Sequence, residues 1–202
     1  QQTVIGVRIY AHGRSRPEAQ ALLDVDREEV RRRLGSLVFG EEDDRLSAAV
    51  AGLLFERRKM IAVAESCTGG LLAKQLTDIA GSSNYFLQGV VTYSNAAKTD
   101  LLGVPPDLIS RHGAVSREVA EVMASGCRQR AGSDYALSIT GIAGPGGGSA
   151  EKPVGLVYIG LADAGGCQVW EHRMGECLTR DEVRDRTCKA ALNRLRLRLM
   201  GE

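Results

Sequence analysis

The chain has 202 residues, 26 Lys+Arg against 25 Asp+Glu, a hydrophobic fraction of 44% and a formal charge of +1. That is one domain's length with room for a short appendage, apolar enough for a core and too evenly charged to demand a polyanionic partner. No apolar run reaches the roughly 18 residues of a membrane span and no secretory signal opens the chain, so a cytoplasmic protein is expected. It starts Gln1-Gln2-Thr3 without Met, which reads as a piece of a longer protein.

Residues Thr3 to Ala11 alternate with Val4, Ile5, Val7 and Ile9, the pattern of a strand. Ser15 to Pro17 opens a helix that Gly35 stops, and Leu37 to Phe39 is a short strand, giving a small β-α-β unit. The acidic turn Glu41 to Asp44 precedes a helix carrying Leu46, Val50, Leu53 and Leu54. Met60 to Ala64 is a buried strand feeding into Glu65-Ser66-Cys67-Thr68-Gly69-Gly70, followed by a helix from Leu71 to about Ile79. Phe86 to Tyr93 is a strand. Ser94 or Asn95 caps a short helix carrying Lys98 and ended by Gly103, and Pro105-Pro106 starts another turn of helix. Ser116 caps a helix to about Arg130, and Tyr135 to Thr140 is a strand that enters a glycine loop, Gly141 to Gly148. Val154 to Leu161 and Cys167 to Met174 form a hairpin. A capping box at Thr179 and Glu182 begins the last helix, with Cys188, Leu192, Leu195 and Leu199 as its stripe. Helices alternating with strands, and a late hairpin, predict a three-layer α/β/α fold with a mixed sheet.

Two loops follow apolar strands, where ligands of open α/β sheets bind. In the first, backbone N–H groups at the helix start suit an anion or an oxyanion, and Ser66 and Thr68 offer hydroxyls. Residue type alone favours a plain helix cap there. The second, Thr140 to Ser149, is half glycine and has Lys152 beside it. It reads as a phosphate cradle or as a flexible loop, and it fits neither GxxxxGK[ST] nor GxGxxG. Lys98 is one of only five lysines. In the first turn of a helix its charged form is disfavoured, which suits a base, although a solvated helix lysine has the same signature. Cys67 is a rival nucleophile, or a buried structural thiol. The five cysteines form no CxxC pair and read as reduced thiols. His12, His112 and His172 lie far apart, so no metal and no cofactor is expected.

Ala64 to Gly70, Thr92 to Asn95 with Lys98, His112 to Ser116, Thr140 to Pro145 and Lys152 to Gly155, in unbroken order, resemble the CinA C-terminal domain family, which includes stand-alone nicotinamide mononucleotide deamidases. The resemblance covers about residues 43–202. Residues 1–40 resemble the end of the KH-like linker that precedes this domain in full-length CinA. The KH GXXG clamp is absent, since Gly13-Arg14-Ser15-Arg16 lacks the second glycine, so no nucleic-acid binding is expected. The usual N-terminal CinA domain is missing, and it and a second copy of the chain are the protein partners to consider. The resemblance implies hydrolysis of nicotinamide mononucleotide to nicotinic acid mononucleotide and ammonia. Ser66 would be the nucleophile, Lys98 the general base and Tyr93 an assisting residue. The N–H groups of Thr68 and Gly69, with Gly70 beside them, would form the oxyanion site, and Thr140, Gly141, Gly144 and Lys152 would bind the phosphate. Two other readings stand beside it: a pyridine-nucleotide-binding regulatory module without turnover, and a dinucleotide phosphohydrolase. The last lacks the acidic metal cluster such chemistry uses.

Overall fold

The computed structural model describes residues 4–42, 44–175 and 177–201. A first helix, α1 (Arg16–Leu34), is capped by Ser15, whose Oγ accepts from Glu18 N–H, and ends at Gly35, φ +52°. A 3-10 turn, Gly35–Leu37, follows. The strands expected on either side of α1 are not formed: residues 4–11 carry no regular structure, and residues 38 and 39 leave the 3-10 turn without pairing. Thr3 lies outside the described residues. A strand exists by pairing, and neither segment pairs with either edge of the sheet, so their β-branched pattern builds no ladder. α1 buries none of its residues. Arg196 Nη2 donates to the Ser36 carbonyl and ties this end of the chain to the last helix.

The remaining elements run α2 (Leu46–Glu56), β1 (Ile61–Glu65), α3 (Leu71–Thr77), β2 (Phe86–Val91), α4 (Asn95–Leu102), α5 (Pro106–His112), α6 (Arg117–Ala131), β3 (Tyr135–Gly141), β4 (Leu156–Asp163), β5 (Gly166–Arg173) and α7 (Arg180–Met200). The strand order is β2-β1-β3-β4-β5. β1 runs parallel to both β2 and β3, while β4 and β5 form the expected antiparallel hairpin.

Side-chain alternation along β1 divides the core. Ile61 and Val63 join Leu137, Ile139 and Ile159 against α2, α3 and α7. Ala62, Ala64 and Ala136 point the other way, towards Val119, Met123 and Cys127 of α6 and Leu102 and Ile109 of α4 and α5. The residues on that second face are small because α6 lies close. A Cβ on Gly160 of β4 would stand 2.9 Å from the Ala120 carbonyl and 2.6 Å from Ser138 Oγ. Each large aliphatic side chain buried in these layers contributes about 1.5–3 kcal/mol. Together they make the sheet a rigid platform, and the loops at its rim inherit that rigidity.

Candidate active site

β1, β2 and β3 are parallel neighbours, so their carboxyl ends reach the same rim of the sheet. The sequence attaches its chemistry there: Ser66 directly follows β1, Tyr93 and Lys98 follow β2, and Thr140-Gly141 ends β3. The β4–β5 hairpin returns the chain to this rim, and α7 therefore starts beside it.

Lys98 is a fully buried side chain, 1% exposed. Its Nζ stands 3.2 Å from Ser66 Oγ and donates to the Thr92 carbonyl at 2.8 Å. Ser94 Oγ caps α4 by accepting from Ala97 N–H at 3.1 Å, which places Lys98 in the first turn, as expected. No carboxylate pairs with this lysine among the described residues. Burial therefore dominates and pushes its pKa below the ordinary lysine value, with the nearby Cys67 opposing. The two residues that the sequence separates by about thirty positions are thus in hydrogen-bond contact, and the lysine is biased towards the neutral amine a base requires.

Ser66 is held from several sides. Its N–H donates to the Ile139 carbonyl of β3 at 2.9 Å, and its carbonyl accepts from Gly69 N–H at 3.1 Å. Gly69 and Gly70 have φ +57° and +92°, the left-handed backbone that only glycine adopts without strain, so the loop can turn from strand into helix within five residues. Thr68 N–H has no acceptor among the described residues, while Gly69 N–H is spent on Ser66 and Gly70 N–H on Glu65. Of the N–H groups expected to form an oxyanion site, Thr68 is the one the geometry leaves available. The Thr68 and Thr92 hydroxyls are buried without a partner among the described residues.

The other expected site residues are distributed around this pair. Tyr93 is 60% exposed, and its hydroxyl accepts from Arg180 Nη2 at 2.8 Å rather than meeting Ser66 or Lys98. Thr140 Oγ1 donates to the Ala114 carbonyl at 2.7 Å. A Cβ on Gly141 would clash with Val157 and the Leu156 carbonyl at 2.7–2.8 Å, so this glycine answers to strand packing. The Gly144 carbonyl accepts from Arg180 Nη1 at 2.8 Å, and the Gly144–Pro145 bond is cis. Lys152 Nζ donates to the His112 and Val115 carbonyls at 2.6 and 2.8 Å and so staples the glycine loop to the α5–α6 turn. Cys67 is 6% exposed, and burial pushes its thiol up to about 12, which disqualifies it as a nucleophile near neutral pH.

Three residues were not singled out from the sequence. Glu65 ends β1, and its carboxylate accepts from Gly70, Leu72 and Ala73 N–H. Arg180 links the Tyr93 and Gly144 loops. Arg184, one turn on, gives Nε and Nη2 to the Thr68 carbonyl at 3.1 and 2.8 Å. Arginines in the opening turns of α7 oppose the helix dipole, and that opposition was the available signal that they serve something else. Among the described residues no group of three His, Cys, Asp or Glu could hold a metal ion, and no helix is long and apolar enough to cross a membrane.

Comparison with known proteins gives the same region. The CinA C-terminal domain family matches residues 43–199. A CinA-like protein of Geobacter sulfurreducens is 51% identical over 198 residues, 98% of this chain and 47% of that protein. A CinA-like protein of Geobacter sp. strain M21 is 56% identical over 172 residues, 85% of this chain and 41% of that protein. The chain thus spans about half the length of the curated relatives it matches. Among solved structures, the competence/damage inducible protein CihA of Agrobacterium tumefaciens superposes with a TM-score of 0.75 at 43% identity, covering 81% of this chain and 98% of that one. A CinA superfamily protein of Klebsiella pneumoniae 700603 gives 0.74 at 32% identity, covering 78% and 97%. The rim that brings Ser66 to Lys98 lies within the matched span, and the chain belongs to the CinA C-terminal domain family.

Proposed function

We propose that this domain is an amidohydrolase that converts nicotinamide mononucleotide and water to nicotinic acid mononucleotide and ammonia by a serine–lysine mechanism. The observation that carries the reading is a lysine 1% exposed, unpaired with any carboxylate among the described residues and 3.2 Å from a serine hydroxyl at the carboxyl end of the central parallel strands. Burying an ammonium without an anion is costly, and it is explained if the working form is the neutral amine.

In that form Lys98 Nζ takes the proton of Ser66 Oγ as the oxygen attacks the carboxamide carbon. Thr68 N–H faces the developing oxyanion, and the protonated Nζ then gives its proton to the departing ammonia. Water repeats the sequence on the acyl-serine, with Lys98 again the base. The Thr92 carbonyl keeps Nζ aimed throughout. Lys152 and Thr140 are turned to loop carbonyls, and the substrate phosphate falls to Arg180, whose exposed guanidinium keeps donors beyond the two it gives to Tyr93 and Gly144. A regulatory module that only bound the nucleotide would have no use for the buried amine against Ser66. The test is ammonia release from nicotinamide mononucleotide by the purified chain and by Ser66→Ala. Turnover that survives the substitution refutes the mechanism.

A further inference from the structure

The face of β1 that carries Ile61 and Val63 into the core ends in Glu65, a carboxylate 1% exposed. No cation pairs with it among the described residues. What stabilises it is backbone: Oε2 accepts from Gly70 and Leu72 N–H, both at 3.1 Å, and Oε1 from Ala73 N–H at 2.8 Å. These are the otherwise unpaired donors at the start of α3, so the anion that this helix start attracts is already supplied by the preceding strand. Both ends of the Ser66 loop are then fastened to one side chain, because residue 65 is continuous with Ser66 and its oxygens hold residues 70, 72 and 73. Cys67 sits inside that span. Burial is the main influence on its thiol; of the charged groups, Arg180 and Lys98 favour the thiolate and Glu65 opposes it, with the thiol of Cys188 also nearby.

We propose that Glu65 is the positioning residue of the nucleophile loop: its carboxylate fixes the 66–70 turn and occupies the free amides at the start of α3, adding its negative charge to the burial that already keeps Cys67 inert and leaving Ser66 as the working nucleophile. The catalytic half of this assignment rests on the amidohydrolase reading. The electrostatic half stands on those hydrogen bonds and on the nearness of the Glu65 charge to Cys67, and needs no substrate. Glu65 touches no reacting atom, so its loss disturbs alignment during turnover more than substrate binding.

Two variants separate charge from fit. Glu65→Gln keeps the length, removes the charge and gives up the acceptor on one side; Glu65→Asp keeps the charge and is too short to hold all three N–H groups. In both, kcat for nicotinamide mononucleotide falls at least about tenfold, with KM within about threefold of wild type. Alkylation of Cys67 by iodoacetamide at pH 9, followed by peptide mass spectrometry and with folding checked by circular dichroism, is the second readout. It should be about tenfold faster in Glu65→Gln and close to the wild-type rate in Glu65→Asp. A purely structural role predicts fast alkylation in both variants, since the Gln NH2 cannot accept the N–H group that faces it and the Asp side chain is too short; Asp as fast as Gln, or Gln as slow as wild type, overturns the proposal. If Glu65→Gln does not fold, Glu65→Asp decides: reduced kcat with slow alkylation supports the assignment, and fast alkylation refutes it. The thiol measurement needs no substrate, so a wild-type protein inactive on the mononucleotide would sink the functional reading while the alkylation rates still judged Glu65.

Discussion

Replacing Lys98 by arginine asks whether this lysine is a base or merely a positive charge. At a residue 1% exposed, Nζ has two polar neighbours, the Thr92 carbonyl at 2.8 Å and Ser66 Oγ at 3.2 Å. A guanidinium carries five N–H donors and does not deprotonate at working pH. It therefore leaves several donors unsatisfied in the same space, at about 1–3 kcal/mol each, and it cannot accept the serine proton. A positioned base is worth about 10²–10⁴ in rate, or roughly 3–5 kcal/mol of transition-state stabilisation. Lys98→Arg should accordingly lose that factor in kcat/KM, nearly as much as Lys98→Ala. Wild-type kcat/KM should rise with pH as the burial-lowered amine deprotonates, and the residual activity of both variants should lack this rise. A folded Lys98→Arg protein that keeps more than about a tenth of wild-type kcat/KM would remove the base assignment.

The stability of a third variant, Lys98→Met, separates catalysis from folding. Because burial lowers the pKa of Lys98 in the folded state, the unfolded chain holds the proton more tightly. Wild-type stability then rises as pH climbs from the folded-state pKa to the ordinary lysine value, and the penalty is full below that window. Methionine fills most of the same volume without a charge. Lys98→Met should be at least as stable as wild type near neutral pH, should lack the alkaline rise in urea midpoint, and should be inactive.

Cys67→Ala should retain most turnover where Ser66→Ala abolishes it, as ammonia release will show; the reverse pattern would transfer the chemistry to the thiol. Nicotinamide riboside should have a much lower kcat/KM than the mononucleotide, because a distant phosphate supplies binding energy that aligns the amide, and equal values would relieve Arg180 of a phosphate role. His172 is 8% exposed, its Nε2 has no partner among the described residues, and burial with help from Arg194 depresses its pKa to about 4. The unfolded chain takes up a proton at this residue from about pH 6.5 downward and the folded one does not until about pH 4, so about 2–3 kcal/mol of stability should be lost by pH 4.5. His172→Leu should flatten that decline in denaturant midpoint between pH 7 and 4.5, and an unchanged decline would assign the acid sensitivity to other groups.

The parts of this fold legible in the sequence were those governed by near neighbours. Ser15, Ser94, Ser116 and Thr179 all cap the helices they open, and Gly103 stops α4, because a cap is decided within a few residues. Strand identity was less secure. The alternation at residues 4–9 is as regular as that of β2, yet only β2 has a partner, and partners are assigned by the whole sheet. The same distinction divides the site. Ser66 and Lys98 lie in segments whose strand–loop–helix grammar marks a sheet rim, so their approach could be expected. Lys152 looked like a free cation beside a glycine loop, but its ammonium is committed to two carbonyls some forty residues back in the chain.

What residue patterns concealed was a set of charges bonded to backbone. Glu65, Arg184 and Lys152 direct most of their side-chain hydrogen bonds to peptide groups and Arg180 half of its, and peptide groups are the same everywhere in a sequence. Such contacts suit a rim assembled from separate loops. The β1–α3, β2–α4, β3–β4 and α5–α6 connections share no strand pairing with one another at their tips, so each needs a fastening that reaches across. Arg184 on the Thr68 carbonyl and Glu65 on the α3 amides hold the first from opposite ends. Arg180 joins the second to the third, and Lys152 joins the third to the fourth. Placing the nucleophile and its base on different loops makes their 3.2 Å separation depend on these fastenings as much as on the sheet beneath. Substitutions at Arg184 should therefore depress kcat although the side chain contacts neither Ser66 Oγ nor Lys98 Nζ.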